Sequence, residues 1–378
     1  MISRIYDLTI IGAGAAGLFC ASNYDGACCI LEKNNEAAKK IYATGNGRCN
    51  FLNSEANPSC YNNPDFVEQV FSGACIDDLL YSFENLGIIA KEEDDGRMYP
   101  RSEEASAIAS ALIEGASGSH AEYGFEVKSA VKKNGLFIVE AVDGRIIKSR
   151  NLLISTGGKA GIQFGSDGKG FKLAEGFGHT IVKPVPALVP MICAEDLSPI
   201  AGVRCEAMIN LIRHSMDRDE ILAFDYYGEV QFTRNAISGI CVMDLSREIR
   251  LGEGISYTLS VNPLWDYSEE DRKALLLDFP IEYLVPKKLA EYMKSRSCGL
   301  EKALKFTITG TKGWPDAQTT SGGVCVSEIN PETMESKLVP GLFFAGEVID
   351  VDGFCGGYNL SFAFSSALVC ASYLNIQL

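Results

Sequence analysis

The residues of this 378-residue chain whose types and spacing can do chemistry fall near its two ends. In IIGAGAAGLFC, Gly12, Gly14 and Gly17 stand at G-x-G-x-x-G spacing. Gly12 suits a tight turn, Gly14 lets a pyrophosphate reach the backbone, and Gly17 allows close packing of a helix on a strand. With Ala15 and Ala16 they form the candidate phosphate turn, because the unpaired amides of a helix start face anions. Glu32 ends the next apolar run, where a carboxylate can accept both ribose hydroxyls of an adenosine. The chemistry these residues point to is dinucleotide binding.

The elements that must position them follow from the pattern. IYDLTIIGAGAAGLFCASNY reads as strand, turn and helix, and GACCILEKN as a second strand. A nicotinamide dehydrogenase is expected to continue in regular strand and helix alternation. Here Glu32 is followed instead by KNNEAAKKIYATGNGRCN, a basic stretch carrying Lys33 and Lys40 and then a long glycine loop. Two-dinucleotide-domain FAD proteins leave the second strand in this manner to pass over the flavin. Thr44, Gly45, Gly47, Arg48, Cys49 and Asn50 are therefore candidate cofactor contacts. Gly45 and Gly47 allow close approach without side-chain collision, and Arg48 offers a fixed positive charge at the ring or the substrate mouth.

Further segments complete the expected site. EVKSAVKKNGLFIVEAVDGRIIKSRNLLISTGG reads as a strand meander turning at KKNG and VDGR, then a buried strand ending at Ser155, Thr156 and Gly157. This stretch resembles the one that in such FAD folds contacts adenine, which makes Val127 the candidate adenine contact and Ser155, Thr156 and Gly157 the candidate return turn. GLFFAGEVIDVDGFCGGYNL places Gly346 and Glu347 at the ribityl and phosphate arm. It also brings Gly356, Gly357, Tyr358, Asn359 and Leu360, at the start of a small-residue helix, to the pyrimidine edge of an isoalloxazine. The partial positive charge of a helix N-terminus stabilises negative charge on a reduced ring.

Between these ends the character changes. Residues 191–262 carry short alternating runs and read as a β-barrel-like insert, and 263–304 carry helical spacing and read as a small helical cap. The remainder, 1–190 and 305–378, is assigned to the dinucleotide domain. Ser268 with Glu269, Glu270 and Asp271 makes an N-cap for the first cap helix. Trp265, Trp314, Tyr226 and Tyr227 are candidate cleft aromatics, although aromatics on strands are usually core. The fold class is α/β: a Rossmann-like FAD domain of the two-dinucleotide-binding type, an inserted barrel and a small helical domain.

Composition bounds the function. A hydrophobic content of 47% is ample for a buried core. Thirteen cysteines without a zinc-like or disulfide-framework spacing read as reduced thiols, which implies a cytoplasmic protein. The N-terminal apolar run is too short to span a bilayer. A formal net charge of −15 disfavours generic attraction to polyphosphate, although Arg97 with Arg101 and Arg213 with Arg218 could form local basic patches. His120, His179 and His214 share no ligand spacing, so no metal site is expected. No G-x-S-x-G elbow, H-E-x-x-H pair or Walker loop supports hydrolase chemistry. Cys49 lacks a nearby partner for disulfide reductase chemistry, Cys60 being the next cysteine along and Cys28 with Cys29 lying in a strand. A second nucleotide fold is not visible, so NAD(P)H would reduce the flavin by binding transiently in the substrate's cleft, with ping-pong kinetics.

LEKNNEAAKKIYATGNGRCN, GRMYPRS, PALVP, GEVQFTRNAISG and TTSGGVCVSEINPETMESKLVPGLFFAGEVIDVDGFCGGYNL together resemble the BaiN-like flavoprotein family, filed also beside aminoacetone oxidases as NAD(P)/FAD-dependent oxidoreductases. The resemblance runs from Tyr6 to Tyr373. The chain departs from it at Ala38, at residues 159–161, at Arg234 and at Ile240. The resemblance implies a non-covalent FAD, an inserted barrel and a helical domain. It offers several reactions: NAD(P)H-driven reduction of an activated carbon–carbon double bond in a small molecule, formation of dihydrouridine in ribosomal RNA, or oxidation of small amines. The fold could also hold FAD as a non-enzymatic redox sensor. An RNA substrate would need a basic, aromatic-lined mouth, for which Arg48, Arg97, Arg101 and Arg234 are the candidates. No catalytic acid or base is assigned. Cys49→Ser is expected to keep FAD and most turnover, whereas Arg48→Ala impairs flavin reduction or substrate reaction. Bound-flavin spectra and steady-state rates check both, and the reverse pattern would restore Cys49 as a reactive thiol.

Overall fold

The structure is a computed structural model that describes residues 4–296 and 299–378. Residues 1–3, and residues 297 and 298 within the segment read as a helical cap, lie outside it. The chain divides into two units, Met1–Val185 with Thr319–Leu378, and Pro186–Gln318.

The first unit is built on a parallel sheet. Strand β1 (Ile5–Ile11) lies between β2 (Cys28–Leu31) and the long strand Ile146–Ile154, in register from Ile5↔Lys148 to Ile11↔Ile154. The alternation in IYDLTII gives way to continuous burial at its end, as a parallel strand covered on both faces requires. His120–Glu122 pairs with β2 at one edge. Ile146–Ile154 changes partners along its length. Its first half pairs antiparallel with Leu136–Ala141, which in turn pairs with Val127–Lys133, while its end pairs parallel with Leu342–Phe344. The turns of this meander fall at Asn134–Gly135 and Asp143–Gly144, and both glycines and Asn134 adopt positive φ.

Two helices cover this sheet, α1 (Ala15–Ser22) and the closing helix Tyr358–Ile376. Phe19, Phe51, Phe83 and Phe364 meet in one aromatic cluster with ring centroids 4.8 to 4.9 Å apart. Each such fully buried ring stabilises the fold by roughly 1.5–3 kcal/mol. By length and hydropathy the closing helix could cross a bilayer, but its apolar residues are packed inside this core. A three-stranded sheet of Leu52–Asn53, Arg97–Pro100 and Ala90–Glu92 lies after the glycine loop. Its strands are too short to read from sequence.

The second unit holds a closed six-stranded barrel of Met191–Cys193, Ala236–Ser238, Asp219–Phe232, Arg204–His214, Ser256–Asn262 and Leu304–Thr311. Residues 305–311 therefore do not belong to the dinucleotide domain to which the sequence reading assigned them. LKFTITGT alternates buried and exposed side chains and closes the barrel between Met191–Cys193 and Ser256–Asn262. Its brevity, and the helical segment before it, hid that periodicity. The helices Glu269–Asp278 and Lys287–Ser295 lie between the last two barrel strands, the first capped by Ser268, whose hydroxyl accepts the Asp271 amide at 3.1 Å.

A polar cluster buried in the first unit resembles a Ser-His-acid triad. His179 meets Ser336 Oγ through Nε2 at 2.7 Å and Glu328 Oε2 through Nδ1 at 3.1 Å. Ser336 Oγ already accepts the amides of Leu338 and Val339, so its proton must go to His179 Nε2, and Nδ1 then donates to Glu328. The serine is buried and its oxygen saturated with donors, so this is a structural tie and not a nucleophile. Burial holds the His179 pKa below the usual imidazole range despite the opposing charge of Glu328. The unfolded chain thus binds a proton that the folded chain resists, and stability falls as pH drops below the ordinary histidine value of about 6.5. The melting temperature is expected to decline between pH 7 and pH 5, with a shallower decline in His179→Gln. Parallel profiles for the two proteins would contradict this account.

Candidate functional site

The site is assembled at the carboxyl ends of the parallel strands, where ligands of open α/β sheets bind. Gly12 follows β1 with φ +107°, and a Cβ there would meet Ser155 O at 2.6 Å. Gly17 lies against the same turn, where a Cβ would meet Gly12 O at 2.0 Å. Gly14 differs from both. Its Cβ would meet nothing within 4 Å, and the helix it precedes has no side-chain cap. The start of α1, with Ala15 and Ala16, is thus an uncapped helix end behind a glycine with open space, an arrangement suited to an anion. Glu32 Oε2 accepts the Ala13 amide at 2.9 Å, and Oε1 accepts the Asn34 amide at 2.8 Å, so the carboxylate is held at the rim of this turn.

Glu347 meets the turn from the other end of the chain. Its Oε2 lies 2.7 Å from Lys40 Nζ, and its Oε1 accepts the Thr320 amide at 2.9 Å. Gly346, with φ +74°, lies where a Cβ would approach Ala16 Cβ at 3.0 Å. A Cβ on Gly157 would lie 3.8 Å from Glu347 Oε2, and Thr156 packs beneath it against Gly170. The structure thus brings together the Gly12–Gly17 turn, Lys40, Thr156, Gly157, Gly346 and Glu347.

The glycine loop forms a second wall. Gly45, Asn46, Gly47 and Cys49 all have positive φ, a run that β-carbons oppose, which accounts for the glycines. Thr44 Oγ1 donates to Ile41 O at 2.6 Å and closes the helix Lys39–Ala43. The Asn50 Oδ1 acceptor is buried with no donor among the described residues, 2.8 Å from where a Gly357 Cβ would stand. Gly357 itself, at φ +96°, packs under Leu52 O at 2.4 Å from that same position. Asn53 donates to Gly356 O at 2.8 Å, and Tyr61 to Tyr358 O at 2.8 Å, so the segment after the loop fixes the start of the closing helix.

Other predicted residues have partners of their own. Lys33 pairs with Asp167 at 2.8 Å. Asn359 closes its own loop, accepting the Gly353 amide and donating to Gly353 O and Phe354 O. Leu360 packs against the core. Val127 opens an edge strand two residues after Phe125, whose amide donates to Glu32 O at 2.8 Å. Arg48 does not present a free charge. Its guanidinium reaches Glu93 and Glu103 and lies 4.1 Å from the Tyr99 ring centre, because two acids that follow strands of the small sheet meet it there. Cys49 is fully buried, and burial pushes its thiol up to about 11, far from a nucleophile's range.

Sequence reasoning missed Thr320, Asn53 and the Glu93 and Glu103 pair. The available signal for the first was TTSGGV, a wholly buried run of small polar residues and glycines. The remaining candidates lie in the barrel unit, where Tyr227 packs on Trp265 with ring centres 4.6 Å apart and Tyr226 donates to Asp244 at 3.2 Å. His120, His179 and His214 each pair with an acid, and no metal-binding group of histidine, cysteine and acid side chains occurs among the described residues.

Residues 6–373 match the HI0933-like protein Rossmann domain family. The chain belongs to that family. It is 33% identical to the 3-dehydro-bile acid delta(4,6)-reductase of Clostridium scindens over 94% of this chain and 96% of that protein. It is 30% identical to the ribosomal RNA dihydrouridine synthase of Escherichia coli over 98% of both. A 3-ketosteroid-delta4-(5alpha)-dehydrogenase from Rhodococcus jostii, 12% identical, shares the fold with a TM-score of 0.52 over 99% of this chain and 98% of that one. The protein is an oxidoreductase of this flavoprotein family.

The uncapped turn at Gly14 and the orphaned Asn50 acceptor are features that a bound flavin dinucleotide would fit. Gly14 has a backbone that alanine can adopt and room for a methyl group, whereas Gly17 has none. Gly14→Ala is therefore expected to keep the wild-type melting temperature and lose FAD affinity by at least about tenfold, while Gly17→Ala unfolds the turn and loses both. Fluorescence titration and thermal melts separate the cases. Unchanged FAD affinity in Gly14→Ala would remove the pyrophosphate from this turn.

Proposed function

We propose that this protein is a non-covalent FAD enzyme, reduced by NAD(P)H, that saturates a carbon–carbon double bond conjugated to a carbonyl in a small organic molecule. The observation that carries the reading is the chemistry common to the two relatives' names. Both a delta(4,6)-reductase acting on a 3-dehydro compound and a dihydrouridine synthase add two hydrogens to such a double bond. FAD, when bound, supplies hydride transfer at flavin N5, which no amino-acid side chain can provide.

The chain's own residues bind and orient. The turn Gly12–Gly17 with Ala15 and Ala16 takes the pyrophosphate on backbone amides, and Glu32 takes the adenosine ribose. Lys40, Gly346 and Glu347 take the ribityl and phosphate arm, with Thr156 and Gly157 beneath. The start of the closing helix at Gly357 and Tyr358 directs its positive end to the pyrimidine edge, where charge develops on reduction. Asn50, whose acceptor has no donor among the described residues, is available to a ring N–H. The sequence has a single G-x-G-x-x-G, so the reading has NAD(P)H and substrate use the same cleft in turn. A cytoplasmic location belongs to the same proposal.

The second reading, dihydrouridine formation in ribosomal RNA, is favoured by the relative of that name. The charge pattern weighs against it. Of the four candidate cations, Arg48 is paired with Glu93 and Glu103, and Arg97 with Asp95 at 3.5 Å, which leaves Arg101 and Arg234 on a chain of net charge −15. Phosphate contacts that carry RNA affinity need unpaired cations.

Anaerobic stopped-flow mixing of the purified yellow protein with NADH or NADPH is expected to bleach the flavin. A conjugated enone is then expected to restore the colour in a separate step. Bleaching by amines alone would assign an oxidase, and bleaching by neither donor would leave a redox sensor. Reoxidation by an unfolded ribosomal RNA fragment but not by enones, with dihydrouridine found by mass spectrometry, would overturn the small-molecule reading.

A further inference from the structure

We propose that Thr320 is a positioning residue for the dinucleotide site, setting where Glu347 and the Gly157–Ala160 turn lie. The inference rests on the FAD reading above and adds a residue that carries no ligand contact of its own. Thr320 is buried, and its Oγ1 accepts two backbone amides, from Lys159 at 2.8 Å and Ala160 at 3.1 Å. A hydroxyl oxygen has two lone pairs, so both are occupied by this one turn. Its own amide donates to Glu347 Oε1 at 2.9 Å, and the neighbouring Thr319 hydroxyl lies 3.4 Å from the same oxygen. The other carboxylate oxygen of Glu347 is the one paired with Lys40. Thr320, on the strand Thr319–Val324, thus binds the turn after Ile154 and Glu347 directly, and through Glu347 it is linked to Lys40 on the helix Lys39–Ala43.

The geometry leaves little freedom. A Cβ on Gly158 would stand 2.3 Å from Thr320 Oγ1 and 3.0 Å from Glu347 Oε1, so the turn can approach only because residue 158 is glycine. Glu347 is held at both oxygens, so its carboxylate keeps one orientation. A group that fixes both the carboxylate and the backbone turn beneath it controls the shape of the cradle without touching what lies in it. Thr320→Val keeps the volume and removes the acceptor, which strands two buried amides. Thr320→Ser keeps the acceptor.

The test uses flavin-free protein titrated with FAD, with thermal melts of the same samples. Thr320→Val is expected to weaken FAD binding by about tenfold or more, and Thr320→Ser to restore most of the affinity. A positioning role acts through Glu347, so adding Thr320→Val to Glu347→Gln is expected to cost less than it costs alone. A lowered melting temperature with unchanged FAD affinity in Thr320→Val would assign a purely structural role and overturn the proposal. Strict additivity with Glu347→Gln, or failure of Thr320→Ser to restore affinity, would also overturn it. Wild-type protein that binds no FAD would overturn the cofactor reading itself, a result distinguishable from all of these.

Discussion

Everything at the site depends on how the strand Ile146–Ile154 is paired. It holds β1 along one side through its full length, and on the other side it exchanges the hairpin for Leu342–Phe344 at Leu152. That exchange places the turn after β1, the turn after Ile154 and the turn after Phe344 side by side at one edge of the sheet. Without it, Glu347 and Lys40 would remain more than three hundred residues apart along the chain with no reason to meet. At these strand ends both faces are buried, so the register is held by packing on each face and not by a choice between a buried and an exposed face.

Close approach of these turns sets the second constraint. Gly12, Gly17 and Gly158 sit where a β-carbon would collide with backbone or side-chain atoms packed against them, and Gly346 where one would crowd Ala16 on α1. Gly14 sits where it would collide with nothing. The glycines of one motif therefore divide into those that let protein touch protein and the one that leaves protein apart. Gly357 belongs with the first group, since Leu52 O occupies the space beside it. Glycine at the head of the closing helix is required by that contact whether or not a ligand lies nearby.

How much was legible in the sequence follows from the range of each interaction. β1, α1 and β2 could be read because seven to eight consecutive residues carry one periodicity and the glycine spacing marks the turn between them. The meander was legible at Asn134–Gly135 and Asp143–Gly144, where turn chemistry is local. The barrel's last strand was not, since Leu304–Thr311 finds its partners more than forty residues back and its alternation is short. The partners of Arg48 were hidden for a related reason. Its sequence neighbours suggested a charge facing a ring, while Glu93 and Glu103, which hold it, lie more than forty residues on. Thr320 could be seen as part of a buried polar run, but its bonds to Lys159 and Glu347 are properties of packing alone.

The paired cations carry a consequence for how a diphosphate is met by so acidic a chain. Lys33, Lys40 and Arg48, three of the basic residues that flank the cradle in sequence, are each bonded to an acid from a distant segment: Asp167, Glu347, and Glu93 with Glu103. They join segments as well as carrying charge. On the FAD reading proposed above, backbone dipoles at the uncapped start of α1, beside the open face of Gly14, would share in meeting the diphosphate. Amides fixed in a helix need no reorganisation when an anion arrives and attract no long polyanion from a distance. Under that reading, recognition at the turn would act by shape at short range, which does not depend on the chain's overall negative charge.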